Sequence, residues 1–350
     1  MKIAQISPLY ESVPPKLYGG TERIASYITE ELVRRGHEVT LFASGDSQTA
    51  ARLIPAVDSA LRLNPSVRDG LPYHVLLIER VLEHAGEFDV LHFHTEFVHF
   101  PALRHLRHRT LTTLHSRSDL PDQPLFYKTF SDAPLAAISN DQRMRAPSWN
   151  WAATVYNGLP RDLLQFSPSA DGYLAFLGRI SPEKGPDVAI KIAARAGLPL
   201  KLAAKIDTVD RPYWEEVVEP LVKANPGIEF IGEITEAEKA EFLGGARALL
   251  FPINWPEPFG LVMIEAFACG TPVIAFRSGS VPEVVDEGVT GFVVDGIDAA
   301  VAAAGRLGEL DRTAVRRQFE QRFTAQQMAD GYERVYRDII ERSSKLRIVA

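Results

Sequence analysis

The sequence predicts an α/β protein built as two successive halves, each with a parallel sheet, and three observations carry that reading. Short apolar runs alternate with amphipathic helical patterns from one end of the chain to the other, the signature of βα layering. The alternation pauses once, after Asn157-Gly158, at the polar, Pro/Gly-punctuated segment RDLLQFSPSADG, and then starts again. The length, 350 residues, exceeds one ordinary domain.

In the first half, Ile3 to Ser7 reads as a buried strand followed by a glycine-containing loop to Gly20. A helix is expected from Thr21 to Arg35, with Ile24, Ile28 and Leu32 as its apolar stripe and Gly36 ending it. Further strands are expected at Val39–Ala43, Val90–His94, Leu111–His115, Leu135–Ser139 and Thr154–Asn157. Little between Ala43 and Tyr73 reads as regular structure. In the second half, strands are expected at Tyr173–Leu177, Leu200–Ala204, Ile228–Ile231, Ala248–Phe251, Pro272–Ala275 and Gly291–Val294. Helices begin near Gly185, Tyr213, Thr235, Gly260, Val281 and Asp298. Ser280-Val-Pro-Glu283 has capping-box spacing with proline in the first turn, which predicts a well-specified helix start. Two helices follow, Arg312–Arg322 and Ala325–Arg342.

Composition narrows the function. The chain is 46% hydrophobic and 24% charged, ordinary for a globular protein. A net charge of −7 argues against general nucleic-acid binding, because phosphate backbones demand a basic surface. The single cysteine, Cys269, allows no intrachain disulfide and reads as a small core residue. No stretch approaches the roughly 18–20 consecutive apolar residues that cross a bilayer, and the start MKIAQISPLY reads as a strand, so a cytoplasmic location is expected.

The richest segment runs from Glu257 to Phe276 (EPFGLVMIEAFACGTPVIAF) and reads as loop, helix, Gly270 terminator and buried strand. The amides of Gly260, Leu261 and Val262 are the unpaired donors of the first turn, and such a terminus attracts phosphate through its N–H groups and dipole. Glu257 precedes that terminus, next to Phe259, and Glu265 lies within the helix, at most roughly 12 Å away along the axis. Taken alone, two glutamates eight apart are a solvated loop charge and a helix-surface residue. Gly178-Arg179-Ile-Ser-Pro-Glu-Lys184-Gly185 closes the first strand of the second half. Arg179 offers a planar fork and Lys184 a mobile point charge, both suited to phosphate oxygens, at a strand end where ligands bind in open α/β sheets. The plain alternative is an exposed, salt-bridged loop. No Asp-x-Asp pair accompanies them, so no metal site and no cofactor is expected. Gly19-Gly20-Thr21-Glu22 permits close backbone approach at a helix start. Six of the nine histidines fall between residues 92 and 115. His92 and His94 share a strand face and His105 and His108 a helix face, which leaves a metal cluster conceivable, although no Cys or H-E-x-x-H accompanies them. His94 and His115 read either as site or as core histidines, His37 as a turn residue. The basic run Leu103–Arg109 reads as a solvated helix face or, more sharply, as a weak membrane-surface or anionic-acceptor contact.

Uninterrupted from Glu257 to Val273, the sequence resembles the family-four retaining glycosyltransferases of the GT-B fold, with their motif E-P-F-G-L-x-x-x-E-A-x-A-x-G-x-P-V. Gly178–Gly185 resembles the family's G-R-x-x-x-x-K-G element, Gly19–Glu22 its G-G-x-E loop, Asp89–His94 its D-V-x-H-x-H strand, and Leu111–His115 its strand ending in a histidine beside the donor sugar. The resemblance implies two Rossmann-like domains with parallel sheets facing a cleft. Residues 1–160 would be the acceptor side, with a helix at about 326–350 packing back on it, and residues 161–325 would bind the nucleotide sugar. It implies a nucleotide diphosphate sugar (UDP or GDP) as donor, a hydroxyl of a small molecule, saccharide or lipid-linked compound as acceptor, and retention of the anomer. In the implied roles Glu257 contacts donor-sugar hydroxyls and Glu265 the ribose, Arg179 and Lys184 hold the diphosphate, and Gly19 and Gly20 lie against it. His115 sits beside the donor sugar, and Glu22 and His94 fall on the acceptor side. No nucleophile stands out, which points to front-face substitution without a metal. Rival readings are a GT-B phosphorylase or sucrose-type synthase and a non-catalytic nucleotide-sugar binder. A nicotinamide dehydrogenase is disfavoured because no G-x-G-x-x-G follows the first strand.

Overall fold

The computed structural model describes residues 1–16, 19–62 and 64–349, without the side chains of 346–349. Residues 17–18 of the expected loop, 63 of the expected irregular stretch and 350 of the expected last helix lie outside the described residues. The chain divides into two compact units: Met1–Pro160 together with the chain from Ala325 onward, and Arg161–Thr324.

The first unit holds a parallel sheet of β1 (Lys2–Ile6), β2 (Glu38–Ser44), β3 (Arg52–Val57), β4 (Val90–Phe93), β5 (Thr110–Thr113), β6 (Leu135–Ala137) and β7 (Trp151–Thr154), in the order β3-β2-β1-β4-β5-β6-β7. Ile6, Phe42, Leu91 and Phe93 pack with Leu77, Ile78 and Val81 of the helix Leu71–His84. The expected stripe Ile24, Ile28 and Leu32 is wholly buried on the helix Gly20–Arg34. The last helix, Ala325–Val349, starts against the first unit, its Ala325 amide donating to the Leu159 carbonyl at 2.7 Å. It sends Tyr332 and Tyr336, both fully buried, toward β4. Arg35 clamps it through Asp330 (2.7 Å), Glu333 (3.0 Å) and the Gln326 carbonyl (2.7 Å).

The second unit repeats the plan with β8 (Tyr173–Arg179), β9 (Leu200–Lys205), β10 (Ile228–Gly232), β11 (Ala246–Phe251), β12 (Val273–Phe276) and β13 (Gly291–Val294), all parallel, in the order β10-β9-β8-β11-β12-β13. Leu174, Phe176, Leu202, Leu250 and Ile274 form its core with Ile190, Ala193, Ala300 and Ala303. In each sheet the strand order turns at one place, between β1 and β4 and between β8 and β11. Connections leave those strands in opposite directions, which opens a crevice at their carboxyl ends.

Three local expectations are corrected. The stretch between Ala43 and Tyr73 contains β3, an edge strand whose sequence RLIPAV carries proline, tolerated at an edge because no further strand needs its amide. The last strand of the first unit is Trp151–Thr154 and not Thr154–Asn157. Trp151 anchors it by donating its indole N–H to the Ala146 carbonyl at 2.8 Å. The basic run, by contrast, matches the expected solvated helix face: it forms a 3₁₀ helix, Arg104–Arg109, none of whose residues is buried, with Arg107 paired to Asp132 and the Arg104 guanidinium over the Phe130 ring. The box at Ser280–Glu283 does not close: Ser280 takes helical angles itself and its hydroxyl donates to the Phe259 carbonyl at 2.8 Å. A carboxylate that reaches back to its cap occurs instead at Glu238, which accepts the Thr235 amide at 2.7 Å.

Candidate active site

The site residues of the second unit gather where its strand order turns. β8 ends in Arg179, and the chain turns through Gly185, at φ +69. A Cβ there would stand 2.5 Å from the Pro252 carbonyl oxygen, so only glycine lets this turn approach the loop after β11. The Asn254 amide then donates to the Glu183 carbonyl at 3.1 Å. This stitching carries Lys184 to Glu257: its ammonium pairs with the Glu257 carboxylate. The same ammonium lies 4.7 Å from the centre of the Trp255 ring, whose N–H donates to Glu257 Oε2 at 2.9 Å.

The Glu257 loop is held from behind. Gly279, at φ +55, approaches so closely that a Cβ would lie 2.4 Å from both the Glu257 nitrogen and oxygen. The Ser280 amide donates to the Glu257 carbonyl at 3.0 Å and the Ser278 hydroxyl to the Trp255 carbonyl at 2.6 Å. Phe259 is buried beneath, Gly260 takes φ +78, and the helix Leu261–Ala268 begins. Its first-turn amides, including Leu261 and Val262, have no acceptor within an α-helix. Glu265 is buried on this helix and accepts from Lys239 Nζ at 2.7 Å, while Lys239 also lies 3.2 Å from Glu236. Arg179 pairs with Glu183, and its Nε is 3.3 Å from Asp210 Oδ2. Burial holds the Asp210 carboxyl above its usual range, against the pull of Arg179.

The candidates of the first unit cluster at the ends of β1, β4 and β5. His94 Nδ1 lies 2.9 Å from His115 Nε2, and His94 Nε2 is 2.9 Å from Gln5 Oε1. Gln5 Nε2 donates to the Tyr336 hydroxyl at 3.0 Å, which is 2.7 Å from His92 Nδ1. His92 Nε2 is 2.7 Å from Thr113 Oγ1, itself 2.9 Å from the Tyr332 hydroxyl. Burial pushes His92 down to about 3 and His115 to about 4, and holds His94 well below its usual value. These histidines therefore stay neutral, bonded to one another and to hydroxyls. Among the described residues, no three His, Cys, Asp or Glu side chains gather as a metal-binding group. Glu96, at φ +52, accepts the amides of His115 at 3.0 Å and Ser116 at 3.2 Å.

Gly19 precedes the helix that Gly20 begins, and a Cβ on it would stand 2.8 Å from the Pro15 side chain. Glu22, in the first turn, is buried. Desolvation, helped by the charge of Glu11, pushes its carboxyl up to about 7, against the opposing charge of Arg62. Glu11 and Arg62 pair at 2.9 Å.

The structure thus brings Lys184 onto Glu257 and His94 onto His115. It sets Arg179 and Glu265 in ion pairs of their own. Sequence reasoning missed Trp255, Lys239 and Asp210 in the second unit and Gln5, Glu96, Thr113, Tyr332 and Tyr336 in the first. Only Trp255 carried a signal, an exposed-type loop position two residues before Glu257. The others lie 19 residues or more in sequence from the candidate groups they touch.

Two all-parallel Rossmann-like units, each with its side chains collected where the strand order turns, define the GT-B class of glycosyltransferase folds. The family model for glycosyl transferases group 1 matches residues 165–322, and that for glycosyltransferase family 4 matches residues 18–160. The chain belongs to this family of GT-B glycosyltransferases, and it is a transferase. It is 26% identical to a D-inositol 3-phosphate glycosyltransferase of Acidothermus cellulolyticus, over 92% of this chain and 86% of the relative. It is 27% identical to a phosphatidyl-myo-inositol mannosyltransferase of Mycolicibacterium smegmatis, over 90% of this chain and 86% of the relative. The solved structure of Anabaena HepE in complex with UDP and glucose superposes with a TM-score of 0.75 at 17% identity, over 97% of this chain and all of that one. No helix among the described residues is long and apolar enough to cross a membrane.

Proposed function

We propose that this glycosyltransferase moves a hexosyl or N-acetylhexosaminyl group from a nucleotide diphosphate sugar to an acceptor hydroxyl, with retention and without a divalent metal. The observation that carries the reading is the Lys184 ammonium on the Glu257 carboxylate, at the crevice between β8 and β11 and beside the start of the helix Leu261–Ala268. An ammonium and a row of helix amides complement a diphosphate, and a carboxylate complements sugar hydroxyls.

When the donor binds, its diphosphate takes Lys184 from Glu257, and the released carboxylate accepts from hydroxyls of the sugar. Arg179 exchanges Glu183 for phosphate oxygen in the same way. The amides of Gly260, Leu261 and Val262 meet the phosphates, Phe259 packs behind them, and Glu265 accepts from the ribose. Gly19 and Gly20 give the phosphates room, His115 meets the sugar, and Glu22 and His94 belong to the acceptor side. In the reaction the bond from the anomeric carbon to phosphate oxygen breaks, and the bond to the acceptor oxygen forms on the same face. The acceptor proton passes to the departing phosphate oxygen. Negative charge grows on the nucleoside diphosphate, and preorganised cations and amides stabilise it.

The sugar donors are of the kind in the HepE complex, UDP with glucose, and the acceptor is a polyol hydroxyl of the kind named for the inositol-directed relatives. A thermal-shift screen of UDP- and GDP-sugars identifies the donor, because a ligand that binds only the folded state raises its apparent stability. NMR of the product then reads the anomer. An inverted product overturns the retaining reading, and no shift with any nucleotide sugar overturns the donor class.

A further inference from the structure

Seven side chains run in single file through the first unit: His115, His94, Gln5, Tyr336, His92, Thr113 and Tyr332. They come from three neighbouring strands or the loops just beyond them and from the last helix, and six of the seven are buried while His115 is half-buried. A buried file of this kind has direction, because a carbonyl oxygen only accepts and an amide nitrogen only donates. Gln5 turns its oxygen to His94 Nε2 and its nitrogen to the Tyr336 hydroxyl. His94 therefore carries its proton on Nε2. A neutral His94 then has a bare Nδ1, and its 2.9 Å contact with His115 Nε2 is a hydrogen bond only if His115 donates. On the other side, Tyr336 accepts from Gln5 and passes its own proton to His92 Nδ1, and His92 donates onward to Thr113. From the far side, the Glu96 carboxylate fixes the backbone amide of His115.

We propose that Gln5, His94 and Tyr336 are positioning residues that hold the His115 imidazole as its Nε2–H tautomer and so present an unprotonated Nδ1 to a hydroxyl of the bound donor sugar. The second clause rests on the role given to His115 above. Nδ1 of His115 bonds no described residue in the structure, so it remains the ring's one nitrogen for a ligand. The burial that holds His94 and His115 neutral keeps this arrangement intact across the ordinary pH range. A bare ring nitrogen accepts from a hydroxyl, whereas a protonated one needs a lone pair opposite it, so the tautomer selects how the sugar is held. The last helix thereby acts on the site through the Tyr336 hydroxyl, without touching the ligand.

The test has two arms. In the first, long-range proton–nitrogen NMR of the histidine-labelled protein reads which ring nitrogen of His115 carries the proton. The expected spectrum shows Nε2–H and a bare Nδ1, and a proton on Nδ1 overturns the proposal whether or not any variant folds. In the second, release of UDP from UDP-glucose and of GDP from GDP-mannose is measured for Tyr336→Phe, His115→Ala and the double variant. Tyr336→Phe is expected to mix the two tautomers of His115 and to lower turnover about tenfold. On the His115→Ala background it is expected to change turnover no further, because its effect passes through that ring. Gln5→Met, which removes both amide groups, is expected to behave the same way. Multiplying effects, or an unmixed tautomer in both variants, overturn the positioning role. If His115→Ala keeps wild-type turnover and donor KM while the spectrum shows Nε2–H, the contact with the sugar fails and the tautomer control stands.

Discussion

Lys184 and Glu257, 73 residues apart, form an ion pair beside the face of Trp255, and both side chains are largely buried. The pair keeps a mobile cation and a loop carboxylate in place. Each neutralises the other.

Lys184→Ala is expected to lower turnover about 10²–10³-fold, the usual loss when one preorganised donor to a developing charge is removed. The same steady-state assay run in EDTA is expected to show wild-type rates unchanged. EDTA inhibition that manganese reverses counts against cations and amides as the leaving-group stabilisers.

Gly279→Ala is expected to disable the Glu257 loop without touching any charged group. Its Cβ would stand 2.4 Å from the Glu257 backbone, and its φ of +55 strains any other residue. The loop must move, so donor turnover is expected to fall at least about tenfold, with a loss of about 1–3 kcal/mol in a denaturant titration. A variant with wild-type kinetics shows that the loop's placement is immaterial.

Acid is expected to destabilise the protein through its neutral histidines. In the unfolded chain these rings take up protons near 6.5, whereas His92 and His115 hold out to about 3 and about 4, and His94 and His99 are also pushed down by burial. Below 6.5 the unfolded state therefore binds more protons, and stability is lost as pH falls toward 4. Thermal unfolding between pH 7 and pH 4.5 checks this. A Tm that holds constant across the range refutes the burial of the file.

Glu22 works in the opposite sense. Its carboxyl is raised from 4.5 to about 7, so the folded state binds the extra proton and its contribution is lost as pH rises through that window. Glu22→Gln mimics the neutral acid. Relative to wild type it is expected to gain up to about 3 kcal/mol above pH 7 and nothing further below pH 4.5. Equal pH profiles for the two proteins remove the case for a raised carboxyl.

Much of this was legible in the sequence where chemistry is local. The stripe Ile24, Ile28, Leu32 follows helical period, and β8 and β13 begin where apolar runs follow turn residues. Arg179, Lys184 and Glu257 stand out as candidates because their strings are contiguous. What the sequence hid is set by contacts at long range. Lys239 meets Glu265 and Tyr336 meets Gln5 across 331 residues, and no spacing announces either. β3 was hidden by Pro55, which breaks the expected strand pattern and is permitted only because the strand lies at an edge. Ser280 had the composition of a cap but spends its hydroxyl on the Phe259 carbonyl, a tertiary bond that outweighed the local motif.

The first unit is assembled from the beginning of the chain and from a helix that begins only at Ala325, with the whole second unit in between. A ribosome therefore releases the segment carrying Gln5, His92 and Thr113 long before the tyrosines that satisfy them, and the later unit is the earlier to become complete. Until Tyr332 and Tyr336 emerge, the nascent N-terminal half carries polar groups awaiting partners, and a message cut short after residue 324 yields a product whose second unit is whole and whose first is unfinished.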